Sequence, residues 1–113
     1  MVDLTKKKCV PCEGGTQPLT SKDRELMIYH KQVPDWEIVE NEMKLEKKFK
    51  FKDFKEALAF VNKVGEIAER ENHHPNIYLY SWNKVKITLT THAIGGLSVN
   101  DFIIAHRINT EIK

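Results

Sequence analysis

At 113 residues the chain is the size of one domain that buries roughly two-thirds of its unfolded surface, so it needs neither metal nor disulfide as a staple. Eighteen lysines and arginines against 16 carboxylates leave a net charge of +2, which implies no nucleic-acid partner unless the lysines segregate onto one face. The lack of a long apolar run or signal-like N-terminus, with only two cysteines, excludes a membrane span and a secreted disulfide framework and points to a cytoplasmic protein with reduced thiols.

Residues 1–19 carry the run Lys6-Lys7-Lys8, a CxxC formed by Cys9 and Cys12, Gly14-Gly15 and Pro18, without a period of 2 or 3.6. They read as an irregular arm, and residues 20–113 as the folded domain. Thr20 with Asp23 three residues on is a capping signature, and Leu26, Tyr29, His30 and Val33 share one face of a short helix that Pro34 closes. From Trp36 the period becomes two. Trp36 and Ile38, a polar turn Glu40-Asn41-Glu42, then Met43, Leu45, Phe49 and Phe51 form a hairpin with one apolar face, broken only by Lys47.

Asp53 with Glu56 caps a longer helix to about Arg70. Phe54, Leu58, Val61, Gly65 and Ala68 line one side of it, flanked by Ala57, Phe60, Val64 and Ile67. A second hairpin runs from Ile77 to Trp82 and from Val85 to Thr91 around Asn83-Lys84, with Trp82 read as a packing residue. Gly95-Gly96 makes a loop, Ser98 with Asp101 a capping box, and Ile104, Ile108 and Ile112 one face of a last helix. The expected fold is α+β: a four-stranded antiparallel sheet with three helices on one face, in the order α-β-β-α-β-β-α. Its strand edges favour self-association.

That layout puts His73 and His74 just past the central helix, His92 at the end of the fourth strand and Asp101 at the start of the last helix. Imidazole, with an ordinary pKa of about 6.5, can give and take protons near neutrality, so such a cluster suits proton transfer without a cofactor. Pro75 ends the helix and holds His74 extended, which would turn the two rings apart. A purely structural reading of each residue competes: histidines at a helix C-terminus suit the macrodipole, and Asp101 suits the capping box. His30 and His106 read as helix-surface or interface residues.

The spacing resembles the signature of the pterin-4a-carbinolamine dehydratases. Three residues separate Glu69 from His73-His74-Pro75; six residues lead on to Trp82, nine more to His92 and eight more to Asp101. "WNKVKITLTTHAIGGLSVNDF" and "FKFKDFKEALAFVNKV" also look like that family, and "CVPCEGG" like its bacterial members. The resemblance implies a hydro-lyase that removes water from 4a-hydroxytetrahydrobiopterin or a related pterin to give the quinonoid dihydropterin, in tetrahydrobiopterin recycling. It implies no cofactor and no metal.

By the same resemblance His73 and His92 are general acid/base candidates, His74 chiefly binds substrate, and Asp101 orients or charge-stabilises an imidazole. Pro75, Thr91, Ala93 and Ile94 join the histidines as substrate contacts. The expected partners are a pterin substrate, a functional link to an aromatic amino acid hydroxylase, and further copies of the chain as a homodimer or homotetramer. The alternative is a dimerisation module of the transcriptional coactivator kind. There Lys44, Lys47, Lys48, Lys50 and Lys52 would meet an acidic partner, although as strand lysines they more simply face solvent. Two further rivals are a zinc or iron site, disfavoured because adjacent histidines diverge, and a reactive CxxC thiol activated by the preceding lysines.

Overall fold

The computed structural model describes residues 3–6, 9 and 17–112. Cys12, Lys7, Lys8, Gly14 and Gly15 lie outside them, and the CxxC with them. The elements are α1 (Arg24–Gln32), β1 (Glu37–Val39), β2 (Lys44–Lys50), α2 (Phe54–Glu71), β3 (Asn76–Tyr80), β4 (Lys84–Leu89) and α3 (Val99–Glu111). The strands form one antiparallel sheet in the order β1-β2-β4-β3, so the expected α-β-β-α-β-β-α architecture is the one found.

Strand alternation sets the core. Leu45 on β2 and Val85, Ile87 and Leu89 on β4 are fully buried against Ala57, Phe60, Val64 and Ile67 of α2 and Ile104 and Ile108 of α3. Lys47 breaks the apolar face of β2 as expected, and an ion pair with Asp35 neutralises it there. Trp36 is fully buried, and its indole N–H donates to Asn109 Oδ1 at 3.0 Å, which removes the cost of burying that donor.

Several boundaries differ from expectation, each for a local reason. α1 starts at Arg24 with Asp23 as its N-cap, not at Thr20. The Asp23 carboxylate instead accepts the Thr20 N–H at 2.8 Å and folds Thr20–Asp23 into a turn ahead of the helix. The turn of the second hairpin falls at Ser81-Trp82, both with positive φ. Trp82 is therefore 61% exposed and not a packing residue. On α2 the flanking stripe of Ala57, Phe60, Val64 and Ile67 is the buried one, whereas Phe54 and Leu58 are 48% and 40% exposed.

The arm is not wholly outside the core. Leu4 is fully buried, its N–H donates to Gln32 Oε1 at 3.0 Å, and Arg107 Nη1 donates to its carbonyl at 3.3 Å. Further along, Leu19 bridges Leu97 in antiparallel fashion. Beside that bridge a Cβ on Gly96 would stand 2.7 Å from Pro18 Cβ, so glycine allows the chains to approach.

Candidate active site

Three segments meet between the C-terminus of α2 and the N-terminus of α3. α2 ends in a left-handed residue, Asn72 (φ 54°), whose backbone N–H closes on Ala68 O. The chain then leaves extended through His73-His74-Pro75 into β3. β4 stops at Leu89, not at His92 as expected, because Thr91 pairs its backbone with Gly96 (Thr91 N to Gly96 O 2.8 Å) and closes a loop. His92–Ile94 is a single 3-10 turn at the head of that loop, ended by Gly95 in the left-handed region (φ 68°). α3 opens with the expected Ser98–Asp101 capping box.

Asp101 is the centre of this region and is fully buried. One carboxylate oxygen accepts from His73 Nε2 at 2.7 Å. The other accepts the Thr91 hydroxyl at 2.8 Å and the Ser98 N–H at 3.0 Å. With its proton on Asp101, Thr91 Oγ1 takes the Ser98 hydroxyl as a donor at 2.8 Å, and Ser98 Oγ accepts the Asn100 N–H at 3.2 Å. Every donor in this chain points toward the carboxylate, so a buried charge is matched by hydrogen bonds. Asp101 therefore both caps α3 and grips His73.

Accepting from Nε2–H fixes the neutral His73 ring as one tautomer and leaves Nδ1 as its proton-accepting atom. The ring keeps 13% of its surface, enough for one edge to reach a ligand. His74 takes the opposite course: its Nε2 lies 2.5 Å from Glu69 Oε2, with both side chains more than half exposed. The divergence expected from Pro75 is present. His92 and Ala93 are exposed and Ile94 half-buried on the 3-10 turn, one to three residues from Thr91. Thus Asp101, His73 and Thr91 are bonded together, His92 is tied to them through the backbone, and His74 bonds outward.

Residues not singled out from sequence also shape the region. Glu71, its side chain only 7% exposed, faces Arg70 and Arg107 and accepts the Cys9 N–H at 3.0 Å. Cys9 Sγ contacts Asn100 O at 3.6 Å, so the arm is pinned beside the base of α3. Burial pushes the Cys9 thiol up to about 12, and the Glu71 and Asp101 charges push the same way. Both effects disfavour the thiolate at Cys9. Ser98 was visible only as a cap; its second role needs the fold that brings Thr91 to it. His30, half-buried on α1, has Nε2 2.7 Å from Trp36 O, a structural use.

A buried carboxylate holding an imidazole at a partly open surface is the equipment of a proton-transfer site on an α+β scaffold. A sequence model of the family described as "Pterin 4 alpha carbinolamine dehydratase" matches residues 17–111. A relative from Alkaliphilus metalliredigens, provisionally named pterin-4-alpha-carbinolamine dehydratase, is 48% identical over 112 residues, covering 98% of this chain and 97% of its own. One from Rubrobacter xylanophilus with the same provisional name is 47% identical, covering 96% and 98%. Among solved structures, one described as a transcriptional coactivator/pterin dehydratase from Brucella melitensis has a TM-score of 0.73 at 30% identity, covering 82% of this chain and 96% of that one. The chain belongs to the pterin 4 alpha carbinolamine dehydratase family, which is a family of hydro-lyases.

Proposed function

We propose that the protein dehydrates a 4a-hydroxytetrahydropterin, of the 4a-hydroxytetrahydrobiopterin type, to the quinonoid dihydropterin by histidine acid/base catalysis. The observation that carries this reading is the 2.7 Å bond from His73 Nε2 to the buried Asp101, which leaves Nδ1 of the neutral ring as its proton-accepting atom. In the reaction an acid protonates the C4a hydroxyl, the C4a–O bond breaks and water leaves. The N5 lone pair then forms the C4a–N5 double bond and a base removes the N5 proton. His73 and His92 divide these two transfers, each worth typically about 10²- to 10⁴-fold.

His74, on the exposed side with Glu69, contributes to binding together with Pro75, Ala93 and Ile94. Thr91 acts differently from the contact role first expected. It is buried and its hydroxyl is committed to Asp101, so it serves as a positioning residue. The reading places the protein in the cytoplasm, downstream of a hydroxylase that leaves a 4a-hydroxylated pterin, such as an aromatic amino acid hydroxylase. Self-association into a homodimer or homotetramer belongs to the same reading, supported by the stripe of Phe54 and Leu58 that the single chain leaves exposed.

The test is to generate 4a-hydroxytetrahydropterin and follow its dehydration by ultraviolet absorbance with catalytic amounts of chelator-treated protein. Acceleration above the uncatalysed rate is expected. A folded protein that gives none contradicts the reading and favours the dimerisation-module alternative.

A further inference from the structure

The sheet has a second face, turned away from the helices. Leu45, Lys47 and Phe49 of β2 and Val85, Ile87 and Leu89 of β4 are directly paired and point toward the core, so the residues between them point outward. Lys48 lies opposite Lys86, and Lys50 opposite Lys84. On the far side of β4, Lys86 pairs with Tyr78 and Lys84 with Tyr80. Two rows of lysine, lysine and tyrosine therefore run across β2, β4 and β3, with strands about 4.8 Å apart and the rows about 6.7 Å apart.

The two tyrosine rings stack at 4.9 Å between centroids and 14° between planes, and Lys86 Nζ lies 5.6 Å from the Tyr78 centroid. Tyr78 is 57% exposed. Among the described residues, none of Lys48, Lys50, Lys84 and Lys86 has an ion-pair partner; Lys44 is matched by Glu40, and Lys47 faces the other way onto Asp35. The adjoining row carries carboxylates, Glu46 of β2 between Thr88 and Glu37, and Glu40 lines the same depression as Lys86 and Tyr78, so the array is bounded by acid on that side.

Like charges directly opposite each other weaken a sheet. Lysine protects edges from aggregation, but β2 and β4 are the two central strands, so that explanation does not reach this array. A ligand carrying regular negative charge relieves the repulsion. The expectation of no nucleic-acid partner holds only while the lysines stay scattered, and the register gathers four of them.

We propose that this outer face, with Lys48, Lys50, Lys84 and Lys86 beside the stacked Tyr78 and Tyr80, binds single-stranded nucleic acid. The lysines alone would serve an acidic protein equally well. The aromatic pair in line with them, Tyr78 exposed and Tyr80 half-buried behind it, adds a surface on which unpaired bases stack, as on other positively charged single-strand sites. An open four-stranded sheet with helices only behind it also suits splayed bases better than a rigid duplex. This inference is independent of the dehydratase reading.

The experiment is fluorescence anisotropy of a labelled twelve-nucleotide oligouridine titrated with the full chain at several salt concentrations. Four phosphates neutralised at about 0.7 each predict a slope of log Kd against log salt of about 2.8. Lys48→Gln/Lys86→Gln should halve that slope to about 1.4, while Lys48→Arg/Lys86→Arg keeps it. Tyr78→Ala should weaken binding about fivefold or more with the slope unchanged. Thermal melting of each variant at the wild-type temperature ties the changes to the surface. Absence of saturable binding at low salt would overturn the proposal. So would equal binding of a duplex, or of base-free heparin with no effect of Tyr78→Ala, either of which would give the face to acidic partners in general.

Discussion

Asp101 shows how much chemistry one side chain can hold. Its role in a capping box is legible from Ser98 three residues earlier, and its place in the site from its distance to His92 and His73 in the family pattern. What could not be read was the relay through Ser98 and Thr91, since two hydroxyls seven residues apart meet only when the loop closes on Gly96. Replacing Asp101 by Asn makes one of its two acceptors a donor, so His73 loses its acceptor or adopts the other tautomer. Asp101→Asn should therefore lower kcat by about 10²-fold or more with KM little changed, and displace the pH–rate profile, which a purely structural role would not do. His74→Ala should instead raise KM with kcat nearly intact.

At the scale of the elements, the strands and helices were legible because period-2 and period-3.6 patterns are strong here. Their ends were legible only in part: the caps at Asp53 and Ser98 stand where expected, while the start of α1 and the end of β4 do not. Ser81 and Trp82 take positive φ without a glycine to announce it, so the second hairpin turn falls ahead of the expected Asn83-Lys84, whereas the first stands at Glu40-Asn41-Glu42 as expected. The α3 cap has a measurable worth: Ser98→Ala should cost about 1 kcal/mol in denaturant unfolding and also reduce turnover, because Ser98 donates to Thr91.

The docking of the arm on α3 carries a pH dependence through His106. Its Nδ1 is buried without a partner among the described residues, and Nε2 lies 3.5 Å from Thr5 Oγ1. Burial, with the nearby Arg107 charge, holds its pKa below the usual 6.5 despite Asp3. The unfolded chain thus takes up this proton first as pH falls. Stability from a neutral His106 is complete above about 6.5 and declines as pH drops toward the depressed folded value. Between pH 7 and 5, His106→Gln should show a shallower fall in Tm than the wild type.

For the whole molecule, fold class and topology were legible, but not which of two adjacent apolar stripes on α2 would face the sheet. Both were apolar, and the single chain buries Ala57, Phe60, Val64 and Ile67 of one but, of the other, Ala68 and not Phe54 or Leu58. Phe54 and Leu58 remain outward on the N-terminal turns of the long helix. Under the self-association proposed above, Leu58→Glu should give a smaller species than the wild type in light scattering while changing the melting temperature little; unchanged mass would remove that stripe from the proposed interface. The lysine array on the opposite face was likewise hidden, since Lys48 and Lys86 become neighbours only through the β2–β4 register.

The central claim is that histidines in this cluster, with His73 set by Asp101, carry the proton transfers of a pterin dehydration. The most direct measurement compares the ultraviolet-followed dehydration rate of chelator-treated wild type with that of a folded His73→Ala/His92→Ala variant. The account predicts clear acceleration by the wild type and a loss of about 10²-fold or more in the variant. Equal acceleration by both proteins would contradict it.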